Sequence, residues 1–177
     1  MSRKFFSATV LATLLGLSSL AGGFAYAQGR TASPTPQVTL SASQALLAAE
    51  QHLPNSKAVE VELDREDGRI VYEVKLLSGQ SRHKVLVDAA SGKVLSVGEK
   101  TADARDADKV KDLLVTPAQA ATTAEQLYPG GKAVEVELEH KRDQRYYEVK
   151  VLTSQQQKHK VKVDAMTGKV LSAEKKR

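Results

Sequence analysis

Two histidines occupy matching places in the chain, His83 in His83-Lys-Val-Leu-Val-Asp88 and His159 in His159-Lys-Val-Lys-Val-Asp164. A neutral imidazole binds metals and titrates close to neutral pH, so an equivalent pair could hold a cation between two copies or sense pH. Each lacks a second His or a Cys at ligand spacing, and the adjacent lysines oppose a cation. Both are in phase with strand valines, which favours a structural place at a strand end. His52 and His140 have no counterparts, so they do not belong to a repeated site. No metal is expected, and His83 and His159 are the weak candidates if there is one. No cofactor is implied.

Asp88 and Asp164 open Asp-x-x-[Ser/Thr]-Gly turns. Calcium loops place oxygens at alternating positions over about twelve residues and end in Glu. These turns are too short and hold one carboxylate each. An Asp that caps turn amides ahead of a Gly at positive φ is the simpler account. The remaining charges fall on strand faces. Glu60, Glu62, Glu73, Lys75, Lys84 and Asp88 share the outward side of one sheet. Glu135, Glu137, Glu148, Lys150, Lys160, Lys162 and Asp164 repeat the arrangement. Cross-strand Glu–Lys pairs keep an exposed face soluble, at about 0.2–1 kcal/mol each. The same faces could dock a partner whose charges steer association. Glu60, Glu62, Glu73, Lys75, Glu135, Glu137, Glu148 and Lys150 are the partner-binding candidates. Nothing on such a face raises a carboxylate pKa for acid–base work. There is no nucleophile motif and no Gly-rich phosphate loop, so no catalytic residue is assigned and no enzyme is expected.

The elements that must position these residues occur twice. Lys57-Ala-Val-Glu-Val-Glu-Leu63 returns as Lys132-Ala-Val-Glu-Val-Glu-Leu138, and Tyr72-Glu-Val-Lys75 as Tyr147-Glu-Val-Lys150. Gly92-Lys-Val-Leu-Ser96 returns as Gly168-Lys-Val-Leu-Ser172, with one residue inserted around Gln155 to Gln157. Such self-similarity sets the architecture. Each copy opens on a capping-box helix, Ser41-Ala-Ser-Gln44 or Thr116-Pro-Ala-Gln119. Ala45, Ala48, Ala49 and Leu53 form one apolar face, and Ala120, Ala124 and Leu127 the other. Period-two runs follow: Val59, Val61, Leu63; Ile70, Tyr72, Val74, Leu76; His83, Val85, Val87; then a short fourth strand. Asp67-Gly68 marks a tight turn, and Arg142-Asp-Gln144 lacks its Gly, so that loop is expected to differ. Short turns force antiparallel neighbours. The expectation is an α+β fold, a tandem repeat of one helix packed on a four-stranded antiparallel sheet.

Arg3 and Lys4, an apolar run from Val10 to Leu20 and Ala25-Tyr26-Ala27 form the n-region, h-region and cleavage pattern of a signal peptide. The domains expected are a signal peptide at 1–27, a flexible spacer at 28–38, repeat 1 at 39–98, a charged linker at 99–113 and repeat 2 at 114–177. The linker is either a short helix or open chain. The chain has no cysteine, which excludes disulfides, thiolate metal sites and a lipobox anchor. Arg3 and Lys4 carry two of the five net positive charges, leaving three on the mature chain. That is no nucleic-acid footprint. Only the tail from Glu174 and the run Lys158 to Lys162 are locally basic.

The order helix, Val-Glu-Val, Tyr-Glu-Val, Val-x-Val-Asp, Ala-x-[Ser/Thr]-Gly-Lys-Val resembles the PepSY domain in both copies. That resemblance implies a bacterial envelope protein, periplasmic or secreted. PepSY modules also occur in metallopeptidase propeptides and spore-cortex proteins, and a role in restraining peptidases has been proposed for them. The outline is also similar, at the level of fold alone, to a beta-lactamase inhibitor protein, and fold does not fix function. The resemblance brings no catalytic residues. The expected function is an exported, non-catalytic binding module that engages, and could inhibit, an envelope peptidase or other envelope protein. A small-ligand or metal-cation sensing protein and a structural envelope component are the alternatives. The partner's identity is left open.

Overall fold

The chain folds in the order α1 (Ala42–His52), β1 (Lys57–Glu66), β2 (Arg69–Ser78), β3 (Ser81–Asp88), β4 (Val94–Thr101), α2 (Ala104–Val110), α3 (Pro117–Gln126), β5 (Lys132–Lys141), β6 (Gln144–Leu152), β7 (Lys158–Asp164) and β8 (Val170–Lys175). The structure, a computed structural model, describes residues 38–175. The signal peptide read at 1–27, and the spacer up to residue 37, lie outside the described residues.

The strands of both repeats join one antiparallel sheet, ordered β4-β3-β2-β1-β5-β6-β7-β8. The expectation of a four-stranded sheet for each copy is corrected here. A lone repeat would leave β1 as an open edge, and pairing β1 with β5 removes both such edges at once. The seam is short: Glu60 faces Glu137, Val61 faces Val136 and Glu62 faces Glu135. Equivalent residues of the two copies exchange places about the Val61–Val136 pair, a local pseudo-twofold. One core results, in which Val61, Tyr72, Val74, Val85 and Val87 join Val136, Tyr147, Val149, Val161 and Val163 beneath Ala45, Leu46, Ala49, Ala120 and Ala124 of the helices.

Alanine on the helix faces lets α1 and α3 approach the strands closely. In α1 the buried set is Ala42, Ser43, Ala45, Leu46 and Ala49. Ala48 and Leu53 pack partly buried against the core, while Leu127 is 45% exposed and lies outside the core face assigned to it. Gln119 and Thr116 exchange both bonds of the capping box, and Gln44 Oε1 accepts the Ser41 amide.

Strands β1 and β5 each carry a bulge, because register shifts between Ala58 and Glu60 and between Ala133 and Glu135. Ala58 and Val61 therefore face the core, and Val59 is the extra residue instead of an inward one. The helices fasten the bulges: Glu50 accepts the Ala58 amide at 3.0 Å and Glu125 the Ala133 amide at 2.8 Å. The hairpin that lacks glycine keeps the two-residue turn of its twin, with Lys141 opposite Gln144 as Glu66 is opposite Arg69. Arg142 takes φ 58° there. Asp88 Oδ1 accepts from the amide of Ser91 at 2.8 Å and its hydroxyl at 2.7 Å, and Asp164 does the same with Thr167 at 2.8 and 2.9 Å. Gly92 and Gly168 follow at φ 76° and 71°, so the turn-capping reading holds.

The tyrosine of each Tyr-Glu-Val motif pins the segment that leads into the helix. Tyr147 Oη donates to the Val115 carbonyl at 2.8 Å, and Tyr72 Oη to the Leu40 carbonyl at 3.0 Å. Tyr72 also reaches the Ala133 carbonyl of the other repeat at 3.3 Å. Burial, with a lesser contribution from Glu125, pushes the Tyr72 phenol above its ordinary range, so it remains a protonated donor. Losing a buried hydroxyl leaves its acceptors unpaired, at about 1–3 kcal/mol each. Tyr72→Phe, with two acceptors, should therefore lower the urea midpoint more than Tyr147→Phe, with an unchanged denaturant slope. Equal shifts would deny Tyr72 its role across the seam.

The capped turns respond to acid. Hydrogen bonds from the Ser91 side chain and amide hold Asp88 below the usual carboxylate range. Burial works against this at Asp164, where the Thr167 and Met166 bonds still win and the pKa falls. A carboxyl with a depressed folded pKa stabilises above its unfolded value and loses that contribution as pH falls through the folded one. Asp88→Asn with Asp164→Asn should lower stability at neutral pH and flatten its decline on the acid side. An unchanged acid limb in urea titrations at pH 2–5 (the window spanned by ordinary and depressed carboxyls) would exclude this.

Candidate functional site

Both long helices pack on one face of the sheet, so the opposite face carries the charged residues of every strand. The seam brings all eight partner-binding candidates into a single patch instead of two separate faces. Across β2, β1, β5 and β6, one row runs Lys75, Glu60, Glu137, Glu148 and the next runs Glu73, Glu62, Glu135, Lys150. Six glutamates occupy the centre and lysines stand at the flanks. Lys75 bonds Glu60 at 2.6 Å, Lys84 bonds Glu73 at 2.7 Å and Lys160 bonds Glu148 at 2.6 Å. Lys150 pairs with Glu135. Hydrogen bonding to Glu73 and Glu148 raises the Lys84 and Lys160 pKa values. Four glutamates are thus matched. Glu62 and Glu137, equivalent and both exposed, have no cationic partner among the described residues.

The charged connector contributes a feature that sequence reasoning missed. Its helix α2 folds onto the outer face of the sheet beside the seam, where Asp106, only 4% exposed, forms an ion pair with Arg82. Asp106 Oδ2 also accepts the Asp103 amide at 3.1 Å, and Lys109 Nζ lies 3.8 Å from Asp106 Oδ1. Asp106 and Lys109 line one cleft with Val59, Glu60, Lys75, Leu77, Arg82 and Glu137. The signal is Asp103-x-x-Asp106, an acidic cap spacing inside the stretch expected to be either a short helix or open chain.

The histidines do not form a pair. β3 and β7 stand five strand positions apart in the sheet, about 24 Å at the usual inter-strand spacing. Metal–nitrogen bonds are about 2 Å long, so His83 and His159 cannot share one ion. His159 instead packs on Tyr128 with ring centroids 4.3 Å apart, and His83 Nδ1 is buried with no hydrogen-bond partner among the described residues. Among the described residues no group of three His, Cys, Asp or Glu could hold a metal.

The unmatched glutamates have a measurable consequence. Desolvation raises the Glu137 pKa, and Glu139, Glu60, Glu135 and Glu148 raise it further. A carboxyl raised in the fold favours folding below its unfolded pKa, and this advantage disappears as pH climbs through the folded value. Glu137→Gln should therefore stabilise the protein at neutral pH, raising Tm by about 1 °C, because solvent screening at this exposed position leaves only a few tenths of a kcal/mol. The gain should vanish below about pH 4, where the glutamate is protonated in both states. A Tm increment that is the same at pH 3 and pH 7 would rule out charge repulsion as its cause.

The profile of the family described as peptidase propeptide and YPEB domain, PepSY, matches residues 39–97 and again 114–174. Among solved structures, a lipoprotein candidate from Clostridium difficile 630 is 24% identical, with 79% of this chain and 95% of that one covered and a TM-score of 0.46. The YpmB protein from Bacillus subtilis is 20% identical over 75% of this chain and 96% of its own, at a TM-score of 0.34. The C-terminal domain of Bacillus megaterium YpeB is 17% identical over 80% and 67%, at 0.31. No curated protein matches the chain. With both repeats covered by its profile, the chain belongs to the PepSY family and carries the domain twice.

Proposed function

We propose that this protein is an exported, non-catalytic binding module whose outer sheet face engages another envelope protein, with a peptidase as the leading class of partner. The observation that carries this reading is the segregation of the two faces. Helices α1 and α3 and the main apolar core lie on one side, and the other presents an acidic centre rimmed by lysine, with α2 lining a cleft beside Glu60 and Glu137. Such a surface selects a partner with basic groups at its middle and steers encounter at a distance. Membership of a family named for peptidase propeptides supports a peptidase as the class to test first. Export rests on the amino-terminal signal pattern, and no helix among the described residues is long and apolar enough to cross a membrane.

The separation of the two histidines bears only on the shared-cation form of the sensing alternative, which it disfavours. The test uses the mature protein from Gln28 as bait in envelope extract, followed by titration of the purified partner. Glu62→Lys with Glu137→Lys should weaken that titrated affinity at least about tenfold, with an effect that shrinks as salt rises. If the partner is a peptidase, its turnover of a small substrate is then measured with wild-type and variant protein. Equal affinity of wild type and the charge-reversed variant would remove the acidic centre from the interface.

A further inference from the structure

The two repeats give the same surface in two states of cover. On repeat 1, Asp106 of α2 meets Arg82, and Asp106 and Lys109 line a cleft with Leu77. Leu77, directly opposite Arg82 in the sheet, is only 9% exposed although it points away from the core. The Arg82 side chain retains 27% of its exposure. On repeat 2 the equivalent pair is Leu152 opposite Lys158. Leu152 is half-buried and Lys158 is exposed, with no ion-pair partner among the described residues. Among the described residues, an apolar residue beside an unmatched cation stands where its twin has a carboxylate and, across a cleft, a helix.

The chemistry of the second surface is also more basic. The outward positions of β3 are Arg82, Lys84 and Leu86, and those of β7 are Lys158, Lys160 and Lys162. Lys160 is engaged by Glu148 at 2.6 Å, and Lys162 Nζ lies 5.2 Å from the centre of the Tyr146 ring. Among the described residues, Lys158 is the one of these three lysines without such a contact.

We propose that the surface of repeat 2 around Leu152 and Lys158 receives an acidic helical segment of a partner protein, held as α2 is held at Arg82 beside Leu77. The occupant is defined by complementarity. It offers a carboxylate to Lys158, as Asp106 does to Arg82, and covers Leu152 with the body of a short helix. This surface is distinct from the acidic centre at Glu62 and Glu137, and the inference does not rest on the identity of any peptidase. One molecule would then present two opposite charge preferences, acid at its middle and base at one side. A partner that satisfied both would be held in a single orientation.

The probe is the protein's own connector as a free peptide, residues 102–112, Ala-Asp-Ala-Arg-Asp-Ala-Asp-Lys-Val-Lys-Asp. It is titrated into the 15N-labelled protein, whose internal α2 already occupies repeat 1. The expected result is saturable shifts of the Leu152, Lys158 and Lys160 amides. Lys158→Glu should weaken binding at least about tenfold, as should a peptide in which the Asp106 position is alanine. Lys158→Gln, which removes charge without reversing it, should fall between, and unchanged spectra elsewhere show that each variant is folded. No shifts up to millimolar peptide, or shifts equal in wild type and Lys158→Glu, overturn the proposal. Shifts at Leu77 and Arg82 alone would mean exchange with α2 and also overturn it. So would a dimer of the protein that Lys158→Glu dissolves, since the occupant would then be the α2 of a second copy.

Discussion

The pairing of β1 with β5 is the contact on which everything else depends. Three residue pairs turn two half-sheets into one and close both inner edges. On the inner side Val61 and Val136 are fully buried, so the two repeats share a core. On the outer side the same register forces glutamate opposite glutamate. Period-two alternation allows no other outcome: a seam that buries the valines must gather the acids. The acidic centre is therefore a by-product of the contact that builds the fold. Lysines on the adjoining strands neutralise four of its six members.

Fastenings on the inner side hold the seam in register. Glu50 and Glu125 hold the bulge amides from the helices, and Tyr72 reaches from its own repeat to the Ala133 carbonyl of the other. Lys132 Nζ adds a bond to the Val38 carbonyl, which ties β5 to the segment entering α1. The Tyr72 and Lys132 bonds cross from one repeat to the other, which makes the two PepSY copies one folding unit in practice. A domain of about sixty residues is marginal alone.

Local features were legible in the sequence because their causes are local. The Asp88 and Asp164 caps, the capping box at Thr116 and the strands around Tyr72 and Tyr147 follow from residues within a few positions of each other. The seam was not legible, since two identical Val-Glu-Val strands specify that they can pair but not that they pair with each other. The bulges were hidden because Ala58 and Val59 are both apolar, so either phase satisfies the pattern. Arg142 took a turn conformation that its sequence disfavours because the hairpin is set by the registers on both sides of it. The site was legible residue by residue, yet its unity was not: all eight candidates were named, and only the seam makes them neighbours. The cap spacing of Asp106 was readable but its ion pair was not, because its partner Arg82 lies across a hairpin and the whole of β4.

The pseudo-twofold about Val61 and Val136 has one more implication. Two separate single-repeat chains could form the same seam only as a dimer, and each would bring its glutamates against those of its twin. In such a dimer the repulsion would act directly on association, and dilution would favour dissociation. Joining the halves by a connector makes closure of the seam intramolecular, at an effective concentration in the millimolar range for short linkers. Covalent linkage thus lets the contact tolerate like charges that free subunits would be under pressure to lose. It also releases the halves from identity. Arg82 and Lys158, or Leu86 and Lys162, can differ without breaking a symmetry that assembly no longer requires, so the duplicated chain is free to specialise one half at a time.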